Sequence, residues 1–270
     1  MSAIKKLKSA NESGKYICIG LDTDPKKLPS HLYSLKRPVI EFNKRIIEST
    51  KHAVAAYKLN LAFYESEGIS GLENLSDTLS FIPENILTIA DGKRGDIGNT
   101  SSLYATSIFE HFKFDSVTLN PYMGKDSLEP FLEYNAKLNF ILSLTSNPGS
   151  SDFQKLQLKN GNFLYQDVIR KIHNWNKSSN CGIVFGATNL DELKENLNLI
   201  DDLPMLIPGV GAQGGSLEDV SKTLFASKKY SFLINVSRGI IQKSLGEDFS
   251  EAARSELSAL NQTIVKLSRN

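Results

Sequence analysis

Two carboxylates bracket an ammonium in the string Asp91-Gly92-Lys93-Arg94-Gly95-Asp96, which begins where the apolar run Ile86–Ala90 stops. In an extended chain alternate side chains share a face, so Asp91 and Lys93 point the same way, about 7 Å apart along the strand, and form an adjacent ion pair. Gly95 and Gly98 let the backbone turn sharply, which leaves Asp96 on a loop able to aim it elsewhere. Such a cluster has two possible fates. It is either a solvated salt-bridge group at a strand end, the ordinary reading of an isolated Asp-x-Lys, or a set of fixed charges that stabilises charge developing in a reaction.

A second group of residue types lies far along the chain. Gly209-Val-Gly211-Ala-Gln213-Gly214 formally fits G-x-G-x-x-G, but the acidic residue that a dinucleotide ribose requires about 20 positions on is missing, because no Asp or Glu falls between Asp219 and Glu247. The run Pro208–Gly215 reads instead as a glycine-rich loop whose backbone N–H groups can approach a phosphate. Asn235-Val-Ser237-Arg238-Gly239 then sets a permanently charged fork beside small residues.

The elements that must carry these groups alternate. Strands are expected at Tyr16–Leu21, Val54–Leu59, Ile86–Ala90, Ser116–Leu119, Phe140–Leu144, Gly182–Phe185, Met205–Ile207 and Phe232–Val236. Helical spacing falls between them, including Pro38–Thr50, Ser101–Phe112 capped by Thr100 or Ser101, Ser127–Asn135, Leu164–Trp175, Asp191–Leu199, Leu217–Ala226 and a closing Glu251–Leu267. Eight such units of about 30 residues predict an α/β fold, a (β/α)8 TIM barrel in one domain over residues 1–270, with a doubly wound open sheet as competitor. A barrel demands that function gather at the C-terminal strand ends. Asp22, Lys58, Asp91, Lys93, Ser146, Gln213 and Arg238 all fall there, and the loops after strands seven and eight are the usual phosphate site of that fold. Ser150–Phe163 makes an unusually long connection, either a lid or a surface excursion.

Composition narrows the function classes. Lys and Arg total 31 against 30 Asp and Glu, and no basic block or aromatic-basic interleaving marks a nucleic-acid surface. No apolar run reaches the roughly 20 residues that span a bilayer, and the start MSAIKKLKSANESGKY lacks the apolar core of a secretory signal, so a cytoplasmic location and no membrane partner are expected. Cys18 and Cys181 sit in apolar runs and read as buried reduced thiols. The histidines, His31, His52, His111 and His173, have no metal-ligand spacing, so no metal site is expected. Trp175 reads as a packing residue.

The full string Asp91-Gly-Lys93-Arg-Gly-Asp96-Ile97-Gly-Asn-Thr100 resembles the Asp-x-Lys-x-x-Asp-Ile-x-x-Thr signature of the orotidine 5′-monophosphate decarboxylase family. Five separated motifs follow that family's order over nearly the whole chain, and the Arg94-Gly95 pair with the Ser237-Arg238-Gly239 ending looks like its longer-chain, type 2 branch. The resemblance implies decarboxylation of orotidine 5′-monophosphate to uridine 5′-monophosphate, without a cofactor. It implies that Asp22 contacts the ribose, that Lys58, Asp91, Lys93 and Asp96 form the catalytic charged network with Lys93 as proton donor, and that Ser146 binds the pyrimidine. Gln213 and Arg238 match the phosphate ligands, with Pro208 and Ser237 beside them in the substrate-binding set. In that family the second aspartate and the Ile and Thr after it come from the other subunit, so Asp96, Ile97 and Thr100 are expected to cross a homodimer interface into the neighbouring site.

The chemistry explains the residue types. Loss of CO2 from C6 of orotate leaves a carbanion-like centre with no adjacent carbonyl to delocalise it, so fixed protein charges must make it tolerable. The nearest rival is another phosphate-sugar barrel lyase with the same Asp-x-Lys-x-x-Asp core, such as a hexulose-6-phosphate synthase, a family that uses magnesium and extra acidic ligands near strand two. Here that strand ends in Tyr57-Lys58-Leu59-Asn60. A Schiff-base aldolase is disfavoured because flanking carboxylates keep the amines protonated. A silent nucleotide-binding scaffold is the remaining alternative.

Overall fold

A computed structural model describes residues 1–211 and 213–269. The apolar runs form strands β1 (Ile17–Gly20), β2 (Ala56–Asn60), β3 (Leu87–Arg94), β4 (Ser116–Leu119), β5 (Leu138–Leu144), β6 (Cys181–Phe185), β7 (Met205–Ile207) and β8 (Phe232–Val236). All pair in parallel and in chain order, and β8 closes on β1 through Ile17 opposite Ile234, so the sheet has no free edge. The expected (β/α)8 barrel is what forms, not the open sheet.

Period two along each strand divides the apolar residues into two cores. Cys18, Ala56, Leu87, Ile89, Phe140, Val184 and Leu233 belong to one buried cluster, while alternate residues such as Ile17, Ile19, Tyr57, Ile141 and Ile234 join the larger cluster that includes the surrounding helices. Gly182 makes room for Phe140: a Cβ there would lie 3.0 Å from the ring and 2.6 Å from the Pro204 carbonyl oxygen. Burial of a side chain like Phe140 stabilises by about 1.5–3 kcal/mol. The first helix, Ala3–Glu12, adds Ala3 and Leu7 to the inner cluster. Lys6 on that helix reaches Asp115 at 2.7 Å, and Asp115 also accepts from the Thr88 backbone at 3.0 Å.

Several boundaries differ from the sequence expectation. Strand β3 continues through Asp91–Arg94, so the charged cluster belongs to the strand and does not follow it; Asp91 pairs opposite Asn60 and Arg94 opposite Leu119. Partners on the two neighbouring strands keep Asp91 and Arg94 in the sheet, across a bulge, where hydrophobicity alone marks an end. The helix after it begins at Gly98 and runs to Thr106, followed by a π turn over Ser107–His111; neither Thr100 nor Ser101 caps it. Ser101 is buried and donates to the Ser127 carbonyl at 2.6 Å instead. The expected Ser127–Asn135 helix shortens to Glu129–Leu132. Trp175 packs, partly buried, against the outer core, and both cysteines are buried free thiols. Among the described residues no helix is long and apolar enough to cross a membrane.

Candidate active site

The barrel interior changes character toward its C-terminal end. Lys58 follows Ala56 on the same face of β2, and Asp91 follows Ile89 on β3, so the apolar layer is capped by a charged one. Lys58 is 4% exposed, and its Nζ donates to Asp91 Oδ2 at 2.8 Å with Asp22 Oδ1 3.5 Å away. Lys93 Nζ donates to Asp91 Oδ1 at 2.5 Å from the solvent side. The expected Asp91–Lys93 pair is therefore formed, and Lys58 extends it into a chain of alternating charge. Burial opposes the charge on Asp91, but the Lys58 and Lys93 ammonium groups outweigh it and hold the carboxyl well below the usual carboxylate range. Burial likewise disfavours the Lys58 ammonium, and the charges of Asp91 and Asp22 reverse that and raise it above the ordinary lysine value. Beneath them burial pushes the Cys18 thiol up to about 12, which keeps it a neutral packing group.

Asp22 is aimed by a buried polar network. Leu21 donates its N–H to the Lys58 carbonyl at 2.8 Å and its carbonyl accepts from the Tyr64 hydroxyl at 3.1 Å, while Thr23 donates to Asn43 at 2.6 Å. Asp22 Oδ1 has no hydrogen-bond donor among the described residues.

One cavity of about 690 Å³ joins this cluster to the glycine-rich end of the barrel. Asp22, Lys58, Asp91 and Lys93 line it together with Ser146, Pro208, Gln213, Ser237 and Arg238. Gly209 and Gly211 have φ of +99° and +75°, the left-handed region in which glycine alone is unstrained, and this shapes the loop after β7. Ala212 in that loop lies outside the described residues. Ser237 fastens the β8 end by donating to the Gly20 carbonyl at 2.9 Å.

Asp96, Ile97 and Thr100 do not line this cavity. Asp96 accepts from the Ile97 N–H at 2.8 Å, and Ile97 is 59% exposed on the chain's surface.

Among the cavity residues to which the sequence reading gave no role are Asn60, Thr118, Gln154 and Asn235. Polar residues at alternate positions of an otherwise apolar strand were the available signal for Thr118 in Ser116-Val-Thr118-Leu. Gln154 had none. It belongs to the long connection after β5, where a short helix, Ser150–Phe153, and an isolated antiparallel bridge between Gln157 and Phe163 form a compact excursion. Gln154 Oε1 accepts the Thr145 N–H at 2.7 Å and Nε2 donates to the Thr145 hydroxyl at 3.0 Å, so the excursion braces the loop that carries Ser146.

The closed parallel barrel and a charged cluster facing glycine-rich loops in one cavity define a (β/α)8-barrel protein with a substrate-sized site at its C-terminal mouth. The family described as "Orotidine 5'-phosphate decarboxylase / HUMPS family" matches residues 15–254. A Flavobacterium johnsoniae orotidine 5'-phosphate decarboxylase is 46% identical over 255 residues, 93% of each chain, and a Dehalococcoides mccartyi protein of that name is 46% identical over 268 residues, 98% of this chain and 97% of that one. Among solved structures, Leishmania donovani OMP decarboxylase superposes with a TM-score of 0.83 at 35% identity, covering 97% of this chain and 100% of that one. Leishmania donovani UMP synthase gives 0.83 at 37% identity; 97% of this chain spans 57% of that longer one. The chain belongs to the orotidine 5'-phosphate decarboxylase / HUMPS family.

Proposed function

We propose that this chain removes CO2 from orotidine 5′-monophosphate to give uridine 5′-monophosphate in pyrimidine biosynthesis, as a cytoplasmic carbon–carbon lyase with residues 1–270 as one barrel domain. The observation that carries the reading is the Lys58–Asp91–Lys93 chain of charges, sharing one cavity with Gln213 and Arg238. Lys93 is the outermost of these charges, so its ammonium is the one a substrate can meet. As the C6–carboxylate bond breaks, its electron pair stays on C6; the Lys93 ammonium stabilises that charge and then delivers a proton to C6, and the amine regains a proton from water. Lys58, held by two carboxylates, keeps Asp91 in place.

The remote end of the substrate supplies binding energy. Arg238 and Gln213 grip the phosphate, with Pro208 and Ser237 beside them, and Ser146 meets the pyrimidine. Asp22 Oδ1, buried without a donor, is suited to a ribose hydroxyl. Phosphate binding can then be used to close and dry the site, raising the rate at an atom it never touches. Asp96, Ile97 and Thr100 complete the site of a second subunit in a homodimer, a reading supported by their surface position away from their own cavity.

The test follows loss of the orotate chromophore with purified protein in chelator, then with Lys93→Ala. Activity without added metal and near-complete loss in the variant are expected. Full activity in Lys93→Ala removes the proton donor, and strict dependence on added magnesium favours the hexulose-phosphate type of chemistry.

A further inference from the structure

We propose that Thr118 is a positioning residue for the Asp91–Lys93 pair, acting through one hydroxyl that joins the carboxylate to the lysine backbone. The proposal rests on the decarboxylase reading and names a residue in its site that the family signature omits. Thr118 lies on β4 and is 1% exposed. Its Oγ1 donates to Asp91 Oδ1 at 3.0 Å and accepts the Lys93 backbone N–H at 2.9 Å. The same Asp91 oxygen receives Lys93 Nζ at 2.5 Å. Lysine backbone, threonine hydroxyl, carboxylate and lysine side chain thus close a ring.

That ring forms where the sheet is irregular. Between the pairs Ala90–Val117 and Arg94–Leu119 the chain takes four steps along β3 against two along β4. Surplus residues in a bulge lose their ladder partners, so the Lys93 N–H needs another acceptor. Lys93 also has φ of +46°, a left-handed conformation that an L-residue with a Cβ keeps only where the surroundings enforce it. The Thr118 hydroxyl supplies the acceptor. A hydroxyl has one proton to give, and Asp91, ionised and acceptor-only, takes it, so the direction of both bonds is fixed. Valine has nearly the same shape and can make neither bond.

The test compares wild type, Thr118→Val and Thr118→Ser for kcat and KM on orotidine 5′-monophosphate, affinity for uridine 5′-monophosphate by calorimetry, and melting temperature. Because a misplacement of about 1 Å can cost roughly a hundredfold in rate, kcat in the Val variant is expected to fall about 10- to 100-fold. KM and product affinity should stay within about threefold, since the phosphate grip is untouched, and Ser should restore kcat to within about threefold of wild type. Unchanged kcat in Val, equal impairment of Val and Ser, or a parallel loss of product binding would each overturn the proposal. If the Val variant does not fold, Thr118→Ala takes its place with the same expected split, and an impaired Ser variant is by itself decisive against it. Active wild type with an unaffected Val variant defeats this proposal alone; wild type that leaves the substrate intact defeats the functional reading as well.

Discussion

Ser146 Oγ donates to Gln213 Oε1 at 2.6 Å, a hydrogen bond between loops that leave β5 and β7 and meet across the barrel mouth. In the proposed reaction these two side chains serve different parts of the substrate, the pyrimidine and the phosphate. The two side chains satisfy each other in this bond, so in that reaction substrate binding would exchange one internal hydrogen bond for contacts at both ends of the nucleotide. The position of Ser146 is set from two directions, since Gln154 holds Thr145 and Thr188 donates to the Ser146 carbonyl at 3.2 Å, and Gly186 leaves no room for a side chain beside its backbone.

Gly186 gives the first prediction. A Cβ there would stand 2.6 Å from the Ser146 nitrogen and 2.7 Å from its Cα, so Gly186→Ala must displace the Ser146 backbone. Urea unfolding should show a loss of roughly 1–3 kcal/mol, the range for overpacking, and steady-state assays should show KM raised by about tenfold. A variant with native KM would show that the loop yields elsewhere.

Arg238 is exposed at the cavity rim and carries a fork suited to a phosphate. Loss of a charged hydrogen-bonding partner is worth about 1.5–3 kcal/mol, so Arg238→Ala should raise KM about 10- to 100-fold while the stability of the folded protein stays near that of wild type. Phosphate-free orotidine should be turned over equally by wild type and variant. Competition between substrate and inorganic phosphate, strong in wild type and weak in the variant, would locate the effect.

The charged chain predicts a pH profile for stability. Asp91 titrates in the folded protein well below its unfolded value of about 3.9, so its contribution is complete above about pH 4 and is lost as pH falls toward the folded value. Lys58 is shifted upward, so its contribution is complete below about pH 10 and is lost as pH rises through the folded value. Removing one member of such a buried pair costs about 3–5 kcal/mol. The stability gap between wild type and Asp91→Asn, measured by urea midpoints, should therefore be level from pH 5 to 9, on the unfolded values, and shrink below about pH 4. A gap that widens on acidification would contradict the depressed Asp91 value.

Subunit exchange tests the dimer. Lys93→Ala and Asp96→Ala should each be nearly inactive alone. If Asp96 serves the partner's cavity, mixing the two variants produces heterodimers in which one of the two sites has both native residues, and activity up to about one quarter of wild type should return after random exchange. Persistent inactivity, with exchange verified by mass spectrometry, would place Asp96 in its own chain's site.

The sequence by itself determined the eight strands, the residues at their C-terminal ends and the chemistry those residues suit, because period-two burial, glycine-rich turns and an alternating charge string are local properties of the chain. It also marked Asp91 and Lys93 as a pair, two residues apart on one strand. What only the tertiary structure decided was how that pair is held. Thr118 lies 27 residues from Asp91, and Gln154 reaches back 9 residues to Thr145 from an excursion whose path has no periodic signature. The end of β3 was misjudged for the same reason, since Asp91 and Arg94 stay in the strand by pairing with Asn60 and Leu119 on neighbouring strands, with a bulge between them, against what their polarity suggests. Hydrophobic pattern selects which face of a strand is buried; closure of the barrel selects which distant residues meet there, and a hydroxyl or an amide acquires its role only from that meeting.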